Sequence, residues 1–357
     1  MNAAEYINFM SELYRNSSIP VLIFSGSMKV IWNNKIFNQY FPAENIKNKT
    51  VSALFKAPVR ESLLKSPGFS VKFEIKVKYE NKLTSEVNLL VFPAEVRSNT
   101  PKLFIGYIDD ITDERRMTLR KTYLGLLEAS KLKDDDTGNH IKRVGAYAKR
   151  LSEELYKLKK YDIINLDFIE NIHFLAPMHD VGKIGTPDEI LNKKGPLDES
   201  EWRIMKEHTI NGALILANYP ESMAMEIARA HHERWDGSGY PYQIESNDIP
   251  LAARITAIAD VYDALRMKRS YKEAFPHDKS VEIIRKDSGT HFDPSLIEVF
   301  ISISESFNAI YNALADGEGA VTSAPIEELP VFKMDPEDIE YSEAIETLEE
   351  LEELEEL

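Results

Sequence analysis

The sequence predicts an α+β multidomain chain: a small antiparallel sheet with short helices, followed by an all-α domain. Three observations carry this. Residues 1–112 alternate strand-like apolar runs with turn signals, and VKFEIKVKY within them has the period-two pattern of a half-buried strand. Residues 134–312 read almost wholly helical, broken by loops at GTPDEILNKKGPLD, ERWDGSGYPYQIESNDIP and KDSGTHFDP. At 357 residues the chain is long enough for two domains, each with its own core.

In the first segment the apolar runs are PVLIFSGSMKVIWNN, FSVKFEIKVKYENKLTSEVNLLVFPAEV and KLFIGYIDDIT, and Asn81-Lys82 between two of them suits a hairpin turn. Residues 113–133 read as one helix rich in Arg, Lys, Leu and Glu. Met117, Leu124, Leu127 and Leu132 lie near helical spacing, on a stripe too short to declare a coiled coil. From residue 313 onward GEGAVTSAPIEELP reads as an unstructured link to an acidic tail. The closing LEELEELEEL places leucine every third residue, so on an α-helix its stripe drifts by about 60° per step and holds no seam. The tail therefore reads as solvated.

Composition excludes several function classes. The chain has no cysteine, which removes disulfides, thiolate nucleophiles, Cys-ligated zinc and iron–sulfur clusters; any metal sits on nitrogen and oxygen. No run approaches the roughly 18–20 apolar residues that span a bilayer, and MNAAEYINFMSELYRN lacks the layout of a secretory signal, so a cytoplasmic, membrane-free protein is expected. The net charge of −16 is concentrated in the tail, where 16 acidic residues from Asp316 onward face one basic residue, Lys333. The body keeps 43 acidic against 42 basic residues, neither repelling a phosphate ligand nor forming a basic surface for a DNA or RNA polymer.

IPVLIFSGSMKVIWNNKIFNQYF reads like the first hairpin and asparagine-led helix of the PAS sensor domains, and GYIDDITDERR like their last strand and exit into a signalling helix. The resemblance covers residues 1–112 and implies a ligand-sensing or dimerising module, with a homodimer through this domain and the 113–133 helix. The segment holds no histidine, which argues against a His-ligated haem in it, and without cysteine a flavin–thiol adduct is excluded.

Candidate chemistry lies between residues 136 and 260. His179-Asp180 in LAPMHDVGK and His231-His232 in IARAHHERWDG are ionisable doublets in apolar helical runs that would not otherwise accept them. His140 follows DDDTGN, with Asp136 four residues earlier. His208 lies in WRIMKEHTING, and Asp260 in the apolar run ARITAIADVYDAL. Adjacent ligands on a helix point about 100° apart, so His231 and His232 are expected to serve two neighbouring metals. Paired metals are a usual device for in-line phosphoryl chemistry, steadying attacking and leaving oxygens and making hydroxide available near neutral pH. The other histidines, His173, His277 and His291, read as ordinary polar residues.

Residues 134 to about 300 resemble the HD-GYP phosphodiesterases of the HD superfamily, within the all-α domain 134–312. DTGNHIKRV, HDVGKIGTPDEIL, EHTINGALIL, HHERWDGSGYP and IADVYDALRMKRSYKEA occur in that family's order, with His179-Asp180 as HD and Gly239-Tyr240-Pro241 as GYP. The resemblance implies metal-dependent hydrolysis of cyclic di-GMP to the linear dinucleotide and in many members onward to GMP. It implies His140, His179, Asp180, His208, His231, His232 and Asp260 as ligands of two divalent metals, iron first and manganese second. A third metal turns on Asp136, where some members carry glutamate. It further implies Lys183 on phosphate, Arg269 on phosphate or guanine, and Tyr240 near the nucleotide. Gly237 and Gly239 supply backbone freedom and Pro241 stiffens the loop exit; Trp235 and Tyr242 flank it as stacking candidates. The alternatives are hydrolysis of another cyclic nucleotide or dinucleotide, and a catalytically silent cyclic di-GMP-binding module.

Overall fold

The computed structural model describes residues 3–41, 46, 49–65, 69–77, 83–94, 103–133, 138–220, 222–267 and 274–314. The expected turn at Asn81-Lys82, the candidate residues Asp136 and Arg269, and the acidic tail lie outside the described residues.

Five strands, β1 (Val21–Ser25), β2 (Val30–Asn33), β3 (Val71–Val77), β4 (Ser85–Pro93) and β5 (Leu103–Asp110), form one antiparallel sheet in the order β2-β1-β5-β4-β3. Period-two alternation splits its side chains between two faces. Leu22, Phe24, Leu89, Val91 and Phe104 pack with Phe37 and Phe41 and with Val51, Phe55 and Val59 of the short helices α2 (Val51–Phe55) and α3 (Val59–Lys65). Val21, Ile23, Leu103 and Ile105 face Met10 of helix α1 (Ala3–Tyr14). Asn34, the asparagine that opens the 3-10 segment Lys35–Gln39, is buried with its amide fully used. Its oxygen accepts from Val21 N–H at 3.0 Å and Phe37 N–H at 3.3 Å, and its nitrogen donates to the carbonyls of Tyr14 and Ile19. That bonding offsets the cost of burying an amide and ties α1, β1 and the 3-10 turn together.

Strand β5 runs into helix α4 (Thr112–Lys131), matching the expected exit from sheet to long helix. The buried face of α4 shares Leu127 with the apolar positions read from the sequence. Tyr123, Leu127 and Ser130 are buried, whereas Met117 and Leu132 are exposed, because the helical body covers the α4 face at Tyr123 and its i+4 and i+7 neighbours. Polar bonds join the sheet to that body: Thr84, just before β4, donates its N–H and hydroxyl to Asp167 at 2.9 and 2.6 Å. Arg116 of α4 donates to the Thr84 carbonyl at 3.0 Å and reaches the same carboxylate at 3.4 Å.

The helical region comprises α5 (Gly138–Lys157), α6 (Leu166–Leu175), a 3-10 segment (Ala176–Gly185), α7 (Asp188–Leu191), α8 (Glu199–Lys206), α9 (His208–Leu216), α10 (Ser222–Ala230), α11 (Leu251–Arg266), α12 (His277–Lys286), α13 (Pro294–Ser302) and α14 (Ser304–Ala313). Twelve of the sixteen residues of α11 are buried, so it runs through the interior and carries any polar side chain it bears into the core. Val144, Tyr147, Leu151, Leu155, Ile172, Phe300 and Phe307 share one core with its Ile255 and Ile258. Each such side chain contributes about 1.5–3 kcal/mol by burial. Among the described residues no helix is long and apolar enough to cross a membrane.

Candidate metal centre

Six of the expected ligands arrive from five separate elements: His140 on α5, His179 and Asp180 on the 3-10 segment, His208 at the start of α9, His231 just beyond α10, and Asp260 on α11. His232, the seventh, adjoins His231. They meet as two groups. Asp180, His208, His231 and His232 offer ligand atoms all within 4.8 Å of one another, and His140, His179 and Asp260 form a second such group.

The sequence led us to expect the HD doublet on an apolar helix, but it occupies a 3-10 segment that begins Ala176-Pro177. The tighter winding, about 3.0 residues per turn, brings Lys183 into register with Asp180, and Nζ lies 2.9 Å from Oδ2. Nor do His231 and His232 divide between two groups. Helix α10 ends at Ala230, so the pair leaves helical geometry, and both rings turn to the Asp180–His208 side with centroids 4.0 Å apart.

Gly182 sets the closest approach. A Cβ there would collide with the carbonyl oxygen of His208 and the amide nitrogen of Gly212, so the absence of a side chain is what lets α9 lie against the 3-10 segment. His208 Nε2 thereby reaches 3.3 Å from Asp180 Oδ1. Asp180 uses its oxygens separately: Oδ1 faces His208 and His231, at 3.3 and 3.7 Å, while Oδ2 faces His179 at 3.3 Å and Lys183 at 2.9 Å.

One hydrogen-bonding pattern recurs around the site. Nδ1 of His179 lies 2.9 Å from the Ala176 carbonyl, Nδ1 of His208 2.6 Å from that of Met205, and Nδ1 of His231 3.1 Å from those of Ile227 and Ala228. Carbonyls only accept, so in each ring Nδ1 carries a proton and Nε2 is the nitrogen turned inward. The Nε2 atoms of His208 and His231 face each other at 3.4 Å. His179 Nε2 and Asp180 Oδ1 are buried without a hydrogen-bond partner. Inward nitrogens beside carboxylate oxygens, with these two atoms buried and unsatisfied, fit a divalent cation bound by nitrogen and oxygen.

Electrostatics follow the same division. Burial, reinforced by neighbouring histidines, holds the His208 imidazole down at about 4 and His232 well below its ordinary value. Burial opposes charge on His179 too, but the carboxylates of Asp180 and Asp260 outweigh it and raise that imidazole to about 9. Asp180 is held well below the carboxylate range; burial works against this, and Lys183 and His179 prevail.

The 233–250 loop closes one side of the site. Gly237 has φ +75°, the left-handed region expected of it. The Gly239 requirement is different: a Cβ there would strike the backbone of Glu233 and Arg234, so packing rather than dihedral freedom demands glycine. Tyr240 stacks on His232 with centroids 4.7 Å apart, Lys206 Nζ lies 5.1 Å from the tyrosine ring, and the following peptide to Pro241 is cis. Trp235 has the Arg254 guanidinium 5.6 Å from its ring, so one face is taken, while Tyr242 is exposed. His277 bonds Tyr262, and His291 stacks on Phe292, both as ordinary polar residues.

Sequence reasoning missed three residues behind the site. Asp263, fully buried, lies 2.8 Å from His140 Nδ1 and takes Arg143 in a two-pronged contact. Glu233 is buried beside the histidine doublet and accepts the Tyr242 N–H at 2.7 Å, anchoring the loop. The signal for Asp263 and Arg143 was present: charged residues in the apolar runs IADVYDAL and IKRVGAYA, the same anomaly that exposed Asp260.

Comparison with known proteins places this geometry among relatives. Residues 139–296 match the family model described as HD domain. The chain is 40% identical over 237 residues to a cyclic di-GMP phosphodiesterase of Vibrio cholerae, covering 63% of this chain and 48% of that protein. It is 42% identical over 204 residues to the 3'3'-cGAMP-specific phosphodiesterase 2 of the same organism, covering 56% and 38%. A cyclic di-GMP phosphodiesterase of Thermotoga maritima matches at 38% over 190 residues, covering 52% and 50%. The chain thus spans half or less of the length of these curated relatives.

Proposed function

We propose, for a chain whose residues 139–296 match the HD domain family model, that it is a metal-dependent phosphodiesterase acting on cyclic di-GMP. The observation that carries the reading is the pair of ligand groups facing one another through Asp180 and His179, with His179 Nε2 and Asp180 Oδ1 buried and unsatisfied. His140, His179 and Asp260 would hold one divalent ion, and His208, His231 and His232 a second, with Asp180 offering an oxygen to each. Bound there, such ions lower the pKa of water and polarise phosphoryl oxygens.

The chain's own side chains supply the rest. Lys183, fixed 2.9 Å from Asp180, places an ammonium where negative charge develops on the phosphoryl oxygens. Tyr240, stacked on His232, gives the nucleotide an aromatic wall beside the site. Arg269 is assigned to the ligand's phosphate or guanine from the sequence resemblance, and Asp136 to a third metal on the same ground. The nitrogen and oxygen donor set, with no sulfur, suits iron, manganese, zinc or nickel, and the sequence resemblance puts iron first and manganese second. The N-terminal sheet and α4 form the regulatory part, and the exposed Met117 and Leu132 of α4 support a homodimer through it.

Asp180→Ala tests the core of the reading: it should abolish both bound metal, by elemental analysis after anaerobic purification, and release of linear product. Full turnover by this variant would overturn the two-metal assignment. A second reading, 3'3'-cGAMP as the substrate, is favoured by the 42% identity to a phosphodiesterase of that specificity. Side-by-side turnover of the two dinucleotides decides between them.

A further inference from the structure

The most completely satisfied buried charge in the described helical region is a carboxylate that lies behind the ligand groups. Asp263 sits one helical turn after Asp260 on α11, and its side chain has no exposed surface. Oδ2 lies 2.8 Å from His140 Nδ1 and accepts from Arg143 Nη2 at 3.0 Å; Oδ1 accepts from Arg143 Nε at 2.7 Å and from the Tyr147 hydroxyl at 3.2 Å. Arg143 is itself fully buried and also donates to the Leu314 carbonyl at the end of α14. Four donor contacts thus converge on one buried carboxylate. The Arg143 guanidinium, charged at any ordinary pH, donates to both oxygens, so the buried carboxylate is held as its ion-pair partner.

We infer that Asp263 is the positioning residue for His140, holding the imidazole with its proton on Nδ1 and its Nε2 lone pair directed at the ligand group. The alignment is geometric: Nδ1 is engaged by Asp263 at 2.8 Å while Nε2 faces Asp260 Oδ1 at 3.7 Å, so the two ring nitrogens are used on opposite sides. His179, His208 and His231 engage Nδ1 through backbone carbonyls instead. His140 alone among these four uses a carboxylate. An anionic partner makes the opposite nitrogen a stronger donor than a neutral carbonyl does, and partners of this kind typically account for a 10- to 100-fold difference in metal affinity. Arg143 and Tyr147 keep the carboxylate ionised and fix its plane, which a lone buried anion could not sustain.

This inference rests on the metal-site reading above, so its test separates the two. Asp263→Asn keeps the shape and removes the charge; Tyr147→Phe removes one donor to the carboxylate and leaves the His140 contact intact. Nitrogen-15 spectra of the metal-free full-length chain should show the His140 ring as the Nδ1–H tautomer in wild type and Tyr147→Phe, and a mixed or reversed tautomer in Asp263→Asn. Equilibrium manganese binding should fall 10- to 100-fold at one of two sites in Asp263→Asn and change less than threefold in Tyr147→Phe. An unchanged tautomer in Asp263→Asn overturns the positioning role whatever the metal result. Equal loss of manganese in both variants also overturns it, since general packing would then explain the effect. A wild-type chain that binds no divalent metal overturns the metal-site reading and leaves the tautomer comparison to decide the role of Asp263. If Asp263→Asn does not fold, the wild-type spectrum decides: a His140 ring found in the Nε2–H tautomer overturns the inference.

Discussion

Asp167 accepts both the N–H and the hydroxyl of Thr84, at 2.9 and 2.6 Å, across the seam between the N-terminal sheet and the helical body. Thr84 directly precedes β4, and Asp167 lies in the first turn of α6, the helix that leads into the 3-10 segment bearing His179 and Asp180. Displacement of β4 therefore has a short covalent and hydrogen-bonded route to the ligands. Thr84→Val removes the hydroxyl donor and keeps the shape, at a cost of about 1.5–3 kcal/mol for a hydrogen bond to a charged group. Hydrogen exchange should accelerate in the first turn of α6 and at the start of β4 while α11 keeps its protection. Unchanged exchange at both ends would show that the contact transmits nothing.

Gly182 should be the least replaceable residue of the HD segment that is not itself a ligand. In Gly182→Ala the added methyl meets backbone atoms of His208 and Gly212, which cannot rotate away. Overpacking against backbone costs about 3 kcal/mol or more, and the relief available is to move α9 outward, taking His208 from Asp180. Urea denaturation should show that loss, and metal binding should weaken at the Asp180–His208 group.

How much of this was legible in the sequence follows from the kind of pattern each feature left. Alternation marked β3 well, because one of its faces packs and the other is wet. The ligands were legible because ionisable doublets in apolar runs are costly without a purpose. The buried face of α4 was not legible: Met117, Leu124, Leu127 and Leu132 lie near helical spacing, but the helix meets the body at Tyr123 and Leu127, and only tertiary packing decides that. The grouping of His231 with His232 was likewise hidden, since it depends on α10 ending at Ala230 rather than continuing. Asp263 carried the same signal as Asp260, but its partners, His140, Arg143 and Tyr147, lie more than a hundred residues earlier.

Lys183 pairs with Asp180 through a side chain that is 18% exposed, which leaves its ammonium reachable by a ligand. Lys183→Met keeps the methylene stem and removes the charge. Turnover of cyclic di-GMP should fall about 10²- to 10³-fold, the scale for removing one preorganised charge or donor aimed at a developing anion. Bound metal should remain near wild type, because Lys183 is not in either ligand group. Loss of metal in this variant would instead make Lys183 a structural support for Asp180.

His291 provides a pH dependence outside the ligand groups. Burial, with Arg234 nearby, holds its imidazole down at about 4 against an unfolded value near 6.5, while the ring stacks on Phe292 at 4.1 Å. Between those values the unfolded chain binds a proton that the folded chain refuses. The stability tied to a neutral His291 is therefore complete above about pH 6.5 and is lost as pH falls toward 4. At pH 5 the loss is at most about 2 kcal/mol, from 1.36 kcal/mol per unit. His291→Asn cannot titrate, and every other group is common to both proteins, so the difference between the two chains isolates this one. In urea denaturation of the metal-free proteins, the wild-type advantage over His291→Asn should be larger at pH 7 than at pH 5. An advantage that grows on acidification would mean that the buried ring is protonated in the native state.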